Sequence, residues 1–224
     1  MAMPTKARRK KAEPRRPGRP RAEESNQRER LLDAAVECFA ADGVAATSLR
    51  SIALRAGVTP ALVNYYFGSK EQLVDAFVAE RVAVVVQVLR ENLLNAGNDP
   101  RAVIGAFVGG IHDAVARFPW LPSLWVREVL NEQGVLRNVL PNVIAPQVTH
   151  LLAGMLADAQ KRGAIGPDLD PRLLIVSLVG LTLFPLAAEH LWRRIFAADD
   201  IDRGVLLRHT LALLDHGLGG HDAR

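Results

Sequence analysis

Apolar residues recur at helical spacing along the chain, and no stretch alternates every second residue for long enough to argue for a strand. The pattern predicts an all-α protein of about nine helices. In the first, Leu31, Leu32, Ala35, Val36 and Phe39 form one stripe, with Asn26 and Glu29 as a capping pair and Asp42-Gly43 as the stop. A short second helix is expected to start at Thr47 as N-cap. It buries Leu49, Ile52, Ala53 and Ala56 and leaves Ser48, Arg50, Ser51 and Arg55 outside. Gly57 then permits a sharp turn with positive φ, Val58 plugs the corner, and Thr59 caps a third helix that opens on Pro60. Two short helices joined this way make a helix-turn-helix.

At about 100° per residue, Leu62, Val63, Tyr66 and Phe67 of the third helix fall within roughly 140° of arc, which makes a core face. Ala61, Asn64 and Tyr65 lie on the side facing away. A small residue for close approach, an amide for a base edge and a phenol for a phosphate or a thymine methyl suit a DNA major groove. Gly68 stops the helix, and Ser69 with Gln72 opens the fourth with a capping box. Lys70 is unusual there, because a cation in the first turn opposes the helix dipole; a DNA phosphate would reward it.

The run TSLRSIALRAGVTPALVNYYFGSKEQL, within residues 26–81, resembles the DNA-binding domain of the TetR (tetracycline-repressor-like) family. The match holds in register from Thr47 through Ile52-Ala53, Ala56-Gly57-Val58, Tyr66-Phe67 and Ser69-Lys70. The resemblance implies a homodimeric, all-helical regulator that binds a palindromic operator and releases it when a small effector enters a pocket in the C-terminal domain. It also places Thr47, Arg50, Thr59, Pro60, Ala61, Asn64, Tyr65 and Lys70 at the DNA. The chain departs from many relatives in having Asn64 in place of a tyrosine and Tyr65 in place of a histidine.

Beyond Lys70 the pattern predicts a fourth helix to about Leu94, a fifth over Pro100 to Phe118, a sixth over Ser123 to Asn131 and a seventh from near Pro146 to Arg162. An eighth starts at Asp170-Pro171 and contains the uncharged stretch from Leu173 to Ala188; Pro185 predicts a kink between Leu181 and Pro185. A ninth spans about Asp202 to His216. Helices this apolar need more neighbours than one chain of this size supplies, so Leu174, Leu178, Leu181, Leu207, Leu211 and Leu214 are expected at a homodimer interface. The uncharged stretch is shorter than the roughly 20 residues that a bilayer core requires.

Charge adds a second DNA-binding element. The net charge is +4, but nine of the 28 Lys and Arg and only one of the 24 Asp and Glu fall in residues 1–21. Rich in cations and proline and poor in large aliphatic residues, residues 1–25 are expected to be a disordered basic arm, ahead of a DNA-binding domain over 26–69 and an effector and dimerisation domain over 70–224. Within the arm, Arg16-Pro17-Gly18-Arg19-Pro20-Arg21 resembles an AT-hook. Gly18 lets the backbone lie on a minor-groove floor, and Arg16, Arg19 and Arg21 suit its negative potential.

Phe107, Ile111, Trp125, Val129, Met155 and Phe184 are candidates for an apolar effector pocket, with His112 and Glu128 as polar fixtures; Arg127 and Glu128 read as a local ion pair. The histidines lack metal-ligand spacing, and neither paired carboxylates, a nucleophile with its base nor a phosphate-cradling glycine loop stands out. No metal, cofactor or enzymatic activity is expected. The single Cys38 and the lack of an apolar leader point to the cytoplasm. The competing DNA-binding reading is a constitutive or architectural dimer without an effector, which a closed, mostly apolar cavity in the C-terminal domain would disfavour.

Overall fold

The computed structural model describes residues 20–218, and over them the chain is all-α with ten helices. Helices α1 (Pro20–Asp42), α2 (Leu49–Ala56) and α3 (Pro60–Phe67) form the head. Lys70–Phe77, a π-turn over Val78–Val82 and Ala83–Asn95 run on as α4, followed by α5 (Pro100–Arg117). Leu121–Leu124 continues through Trp125–Leu130 as α6, and a 3-10 turn covers Val135–Asn138. Leu140–Thr149 and His150–Lys161 make up α7, and the chain ends in α8 (Pro171–Ala187), α9 (Glu189–Phe196) and α10 (Arg203–Leu218).

Three boundaries differ from expectation. Helix α1 starts at Pro20 and not at Asn26, with proline at a first-turn position. The seventh helix begins at Leu140, ahead of Pro146: the proline lacks the N–H that an α-turn needs, and the backbone widens into π-turns around it. The kink expected between Leu181 and Pro185 lies at Ala188. There the chain turns by 71° into α9, a helix that the sequence pattern does not announce. The Pro185 carbonyl at this bend accepts a hydrogen bond of 2.8 Å from Trp192 Nε1.

Two cores result. In the head, Leu31, Leu32, Phe39, Ile52, Val63 and Phe67 pack around Leu73 and Phe77 of α4, joined by Leu124 and Leu136 from beyond. In the larger domain, Val85, Val86, Leu89 and Leu93 of the same α4 pack against α5, α7, α8 and α10. Leu174, Leu178 and Leu214, expected at a dimer interface, are buried in this second core, and Leu207 and Leu211 pack half-buried against it. Of the six, Leu181 alone is exposed. The outward face of α8 instead carries Leu173, Val176 and Phe184, exposed by 66%, 67% and 71%. No single helix among the described residues is long and apolar enough to cross a membrane.

Ion pairs fasten α1 to the π-turn of α4. Arg28 binds Glu80 through two parallel hydrogen bonds of 2.6 Å, and Arg81 reaches Asp33 at 2.9 Å and also pairs with Glu29. The Arg28 guanidinium lies 4.9 Å from the centre of the Phe67 ring, so the clamp touches the end of α3 as well. Hydrogen bonding from Arg28 holds the Glu80 carboxyl below its ordinary range. A depressed folded value stabilises the protein above the unfolded glutamate value of about 4.3 and is lost as pH falls through the folded value. Glu80→Gln is therefore expected to lower the melting temperature at neutral pH. It should also flatten the decline of the melting temperature as pH falls below about 5 in a thermal-unfolding series.

Candidate nucleic-acid interface

The turn between α2 and α3 is set by backbone chemistry. Gly57 adopts φ 67° and ψ 35°, a left-handed conformation open to glycine at little cost, and its N–H and that of Val58 return to carbonyls at the end of α2. Val58 packs half-buried at the corner, as expected. Thr59 is the N-cap residue of α3 and Pro60 follows in its first turn.

The start of α2 is a correction. Ser48 is its N-cap, in a reciprocal capping box with Ser51. Thr47 is buried, and its Oγ1 donates 2.7 Å to the Gly43 carbonyl, so it closes the α1–α2 turn and does not face outward. The remaining positions of the head are where the spacing put them. Val63 and Phe67 are buried and Leu62 and Tyr66 half-buried, while Thr59, Pro60, Ala61, Asn64 and Tyr65 are exposed, Tyr65 by 74%. Arg50 is exposed on α2. Tyr65 meets Tyr66 edge-to-face with centroids 5.2 Å apart, which limits where the phenol can swing.

Lys70 sits beside this face, behind the expected Ser69–Gln72 capping box. Its Nζ donates 2.8 Å to the Ala45 carbonyl in the α1–α2 loop. Part of the reward for a cation in the first turn is thus internal, and the ammonium keeps further protons for a phosphate. Of the AT-hook-like segment, Arg16, Gly18 and Arg19 lie outside the described residues; the backbone of Arg21 belongs to the first turn of α1.

Comparison with known proteins agrees with this geometry. Residues 31–77 match the model of the "Bacterial regulatory proteins, tetR family". Residues 31–77 belong to the TetR-family DNA-binding domain, and the chain is similar to TetR-family transcriptional regulators. Among relatives, the transcriptional repressor KstR2 of Rhodococcus jostii is 28% identical over 149 residues, 66% of this chain and 72% of the relative. The regulator SrpR of Pseudomonas putida is 26% identical, over 71% and 73% of the two chains. The structure of the ketosteroid regulator KstR2 of Mycobacterium tuberculosis has the same fold, with a TM-score of 0.66 at 20% identity over 87% of this chain and 94% of that one. So does FadR of Bacillus subtilis in complex with stearoyl-CoA, with a TM-score of 0.65 at 21% identity over 86% and 98%.

The larger domain holds an apolar cavity of about 140 Å³. Four expected residues line it, namely Phe107, Ile111, Trp125 and Val129. They are joined by Phe77, Val85, Val86 and Leu89 of α4 and by Trp120, and Thr149 supplies a polar side chain. The α4 contribution has a signal in the sequence, the apolar residues Phe77, Val82, Val85, Val86 and Leu89 within one long predicted helix.

The other four expected pocket residues lie elsewhere. Phe184 is on the outward face of α8, and Met155 packs half-buried against the outer side of the second core. His112 is buried away from the cavity lining, its Nε2 without a hydrogen-bond partner among the described residues, and burial pushes its imidazole toward the neutral form. Glu128 is 3% exposed and does not line the cavity. Its carboxylate engages the Val44 and Val135 backbone, where the sequence suggested an ion pair with Arg127. Donors on the backbone carry no residue signature, so that role has no signal in the sequence.

Proposed function

We propose that the protein is a homodimeric repressor that reads a palindromic operator through α3 and lets it go when a small, uncharged, apolar effector fills the cavity. The exposed Ala61, Asn64 and Tyr65, on a short helix fixed by a capped and glycine-closed turn, carry the DNA-reading part. Arg50, Thr59, Pro60 and Lys70 flank them as backbone contacts. Thr47 supports the face from behind.

Dimerisation rests on α8 and α10. Leu173, Val176 and Phe184 recur at helical spacing around Gly180, where an added Cβ would meet open space, and Leu213 is exposed on α10. A two-fold axis along this face buries those side chains and supplies the paired reading heads that a palindrome requires. The cavity favours a ligand-responsive dimer over a constitutive one. A roughly 150 Å³ engineered cavity with aliphatic and aromatic walls takes up benzene, and this one has similar volume and walls. A lining without a charged side chain disfavours an anionic effector.

With an operator selected from a random DNA pool, Asn64→Ala and Tyr65→Ala are each expected to weaken binding by about 1 to 3 kcal/mol with folding intact. Wild-type anisotropy curves for both would remove α3 from the groove. Sedimentation separates the two faces of α8. Val176→Glu should give a folded monomer with poor operator binding, whereas Leu178→Glu, inside the protomer core, should unfold the larger domain. Deleting residues 1–21 removes nine cations per subunit. If two or three of them neutralise phosphates, the log-log salt slope of the dimer should fall by roughly 4 to 5 units. An unchanged slope would reduce the arm to a solubilising tail.

A further inference from the structure

A buried carboxylate ties the effector domain to the reading head. Glu128, on α6, accepts 2.8 Å from the Val44 N–H through Oε1 and 2.9 Å from the Val135 N–H through Oε2. Val44 lies in the α1–α2 loop, four residues before the Ser48 cap of α2; Val135 opens the 3-10 turn of the larger domain. Two glycines make room for this seat. A Cβ on Gly43 would stand 3.0 Å from Glu128 Oε1, and one on Gly134 would stand 2.1 Å from the Glu128 carbonyl oxygen.

The residues around the carboxylate belong to the cavity. Trp125 and Val129 line it from the same helix, and Leu136 and Val139 line it from the segment that follows Val135. A molecule that moves these walls therefore moves both the stem of Glu128 and one of its two donors. The carboxylate cannot follow by degrees, because a buried oxygen that loses its N–H regains neither water nor another donor. The contact to Val44 is then either made or broken.

We propose that Glu128 is the positioning residue that transmits cavity occupancy to the helix-turn-helix, by holding the Val44 loop when the cavity is empty and releasing it when the cavity is filled. This deepens the ligand-responsive reading above and rests on it. The test uses the full-length protein, benzene as the probe and two variants. Glu128→Gln replaces one acceptor with an amide. Val135→Pro removes the N–H to Oε2 at the first position of the 3-10 turn, where the preceding Gly134, at φ −67° and ψ 130°, already has the backbone that a residue before proline adopts.

In the wild type, saturating benzene is expected to weaken operator binding at least tenfold by fluorescence anisotropy. In both variants, calorimetric benzene affinity should stay within twofold of wild type, while the weakening of operator binding falls below threefold. A wild-type ratio in either variant overturns the proposal. If benzene fails to bind the wild type, or binds without weakening its hold on the operator, the effector reading fails. Hydrogen exchange at the Val44 amide in Val135→Pro then decides the role of Glu128. Exchange at least tenfold faster supports transmission across the carboxylate, and a wild-type rate overturns it.

Discussion

One helix serves two cores, and the rest of the structure follows from that constraint. Leu73 and Phe77 complete the interior of the reading head, while Val85, Val86, Leu89 and Leu93 of the same α4 complete the interior of the larger domain. A continuous helix transmits a rigid-body rotation because its backbone hydrogen bonds resist bending. The π-turn over Val78–Val82 falls between the two sets, and there Arg28 and Arg81 pair with Glu80, Glu29 and Asp33 across α1 and α4. The head is thus fastened to the first part of α4 by both packing and charge.

The aromatic residues extend the same logic to the cavity. Phe39 in the head meets Phe77 edge-to-face at 5.8 Å, and Phe77 meets Trp120 at 5.6 Å. Phe77 and Trp120 are also walls of the cavity. No apolar spacer insulates the cavity from the head, since the rings that bound one pack into the other. The walls of the cavity and the seat of α1 therefore share the Phe77 ring.

The reading head was legible in the sequence because its constraints are local. A glycine at Gly57, a proline at Pro60 and a Ser69–Gln72 box each specify a backbone geometry within a few residues, and the apolar phase of an eight-residue helix is unambiguous. The Thr47 and Ser48 exchange shows the limit. Either hydroxyl can cap, and the choice falls to the Gly43 carbonyl, which binds Thr47 from the preceding turn. In α8 the failure has a different cause. A helix apolar on nearly every face has no phase, so periodicity cannot distinguish Leu174 and Leu178, which face the protomer core, from Leu173 and Val176, which face outward. Glu128 stands out in the sequence as a polar residue among apolar ones, but its partner Val44 lies 84 residues away and donates through its backbone.

Geometry at the DNA explains why a link as small as two hydrogen bonds matters. Two recognition helices in a dimer must enter successive major grooves on one face of the duplex, roughly 34 Å apart, and base-edge contacts tolerate only a fraction of an ångström in donor position. The Val44 loop leads directly into the Ser48 cap of α2, against which α3 is fixed by the Gly57 turn, so the loop and α3 share one frame. A change in the frame of each head is doubled in the distance between them by the two-fold axis. Under the proposed mechanism, occupancy of the cavity has no need to unfold the head or cover its reading surface; it has only to alter the seat of the Val44 loop.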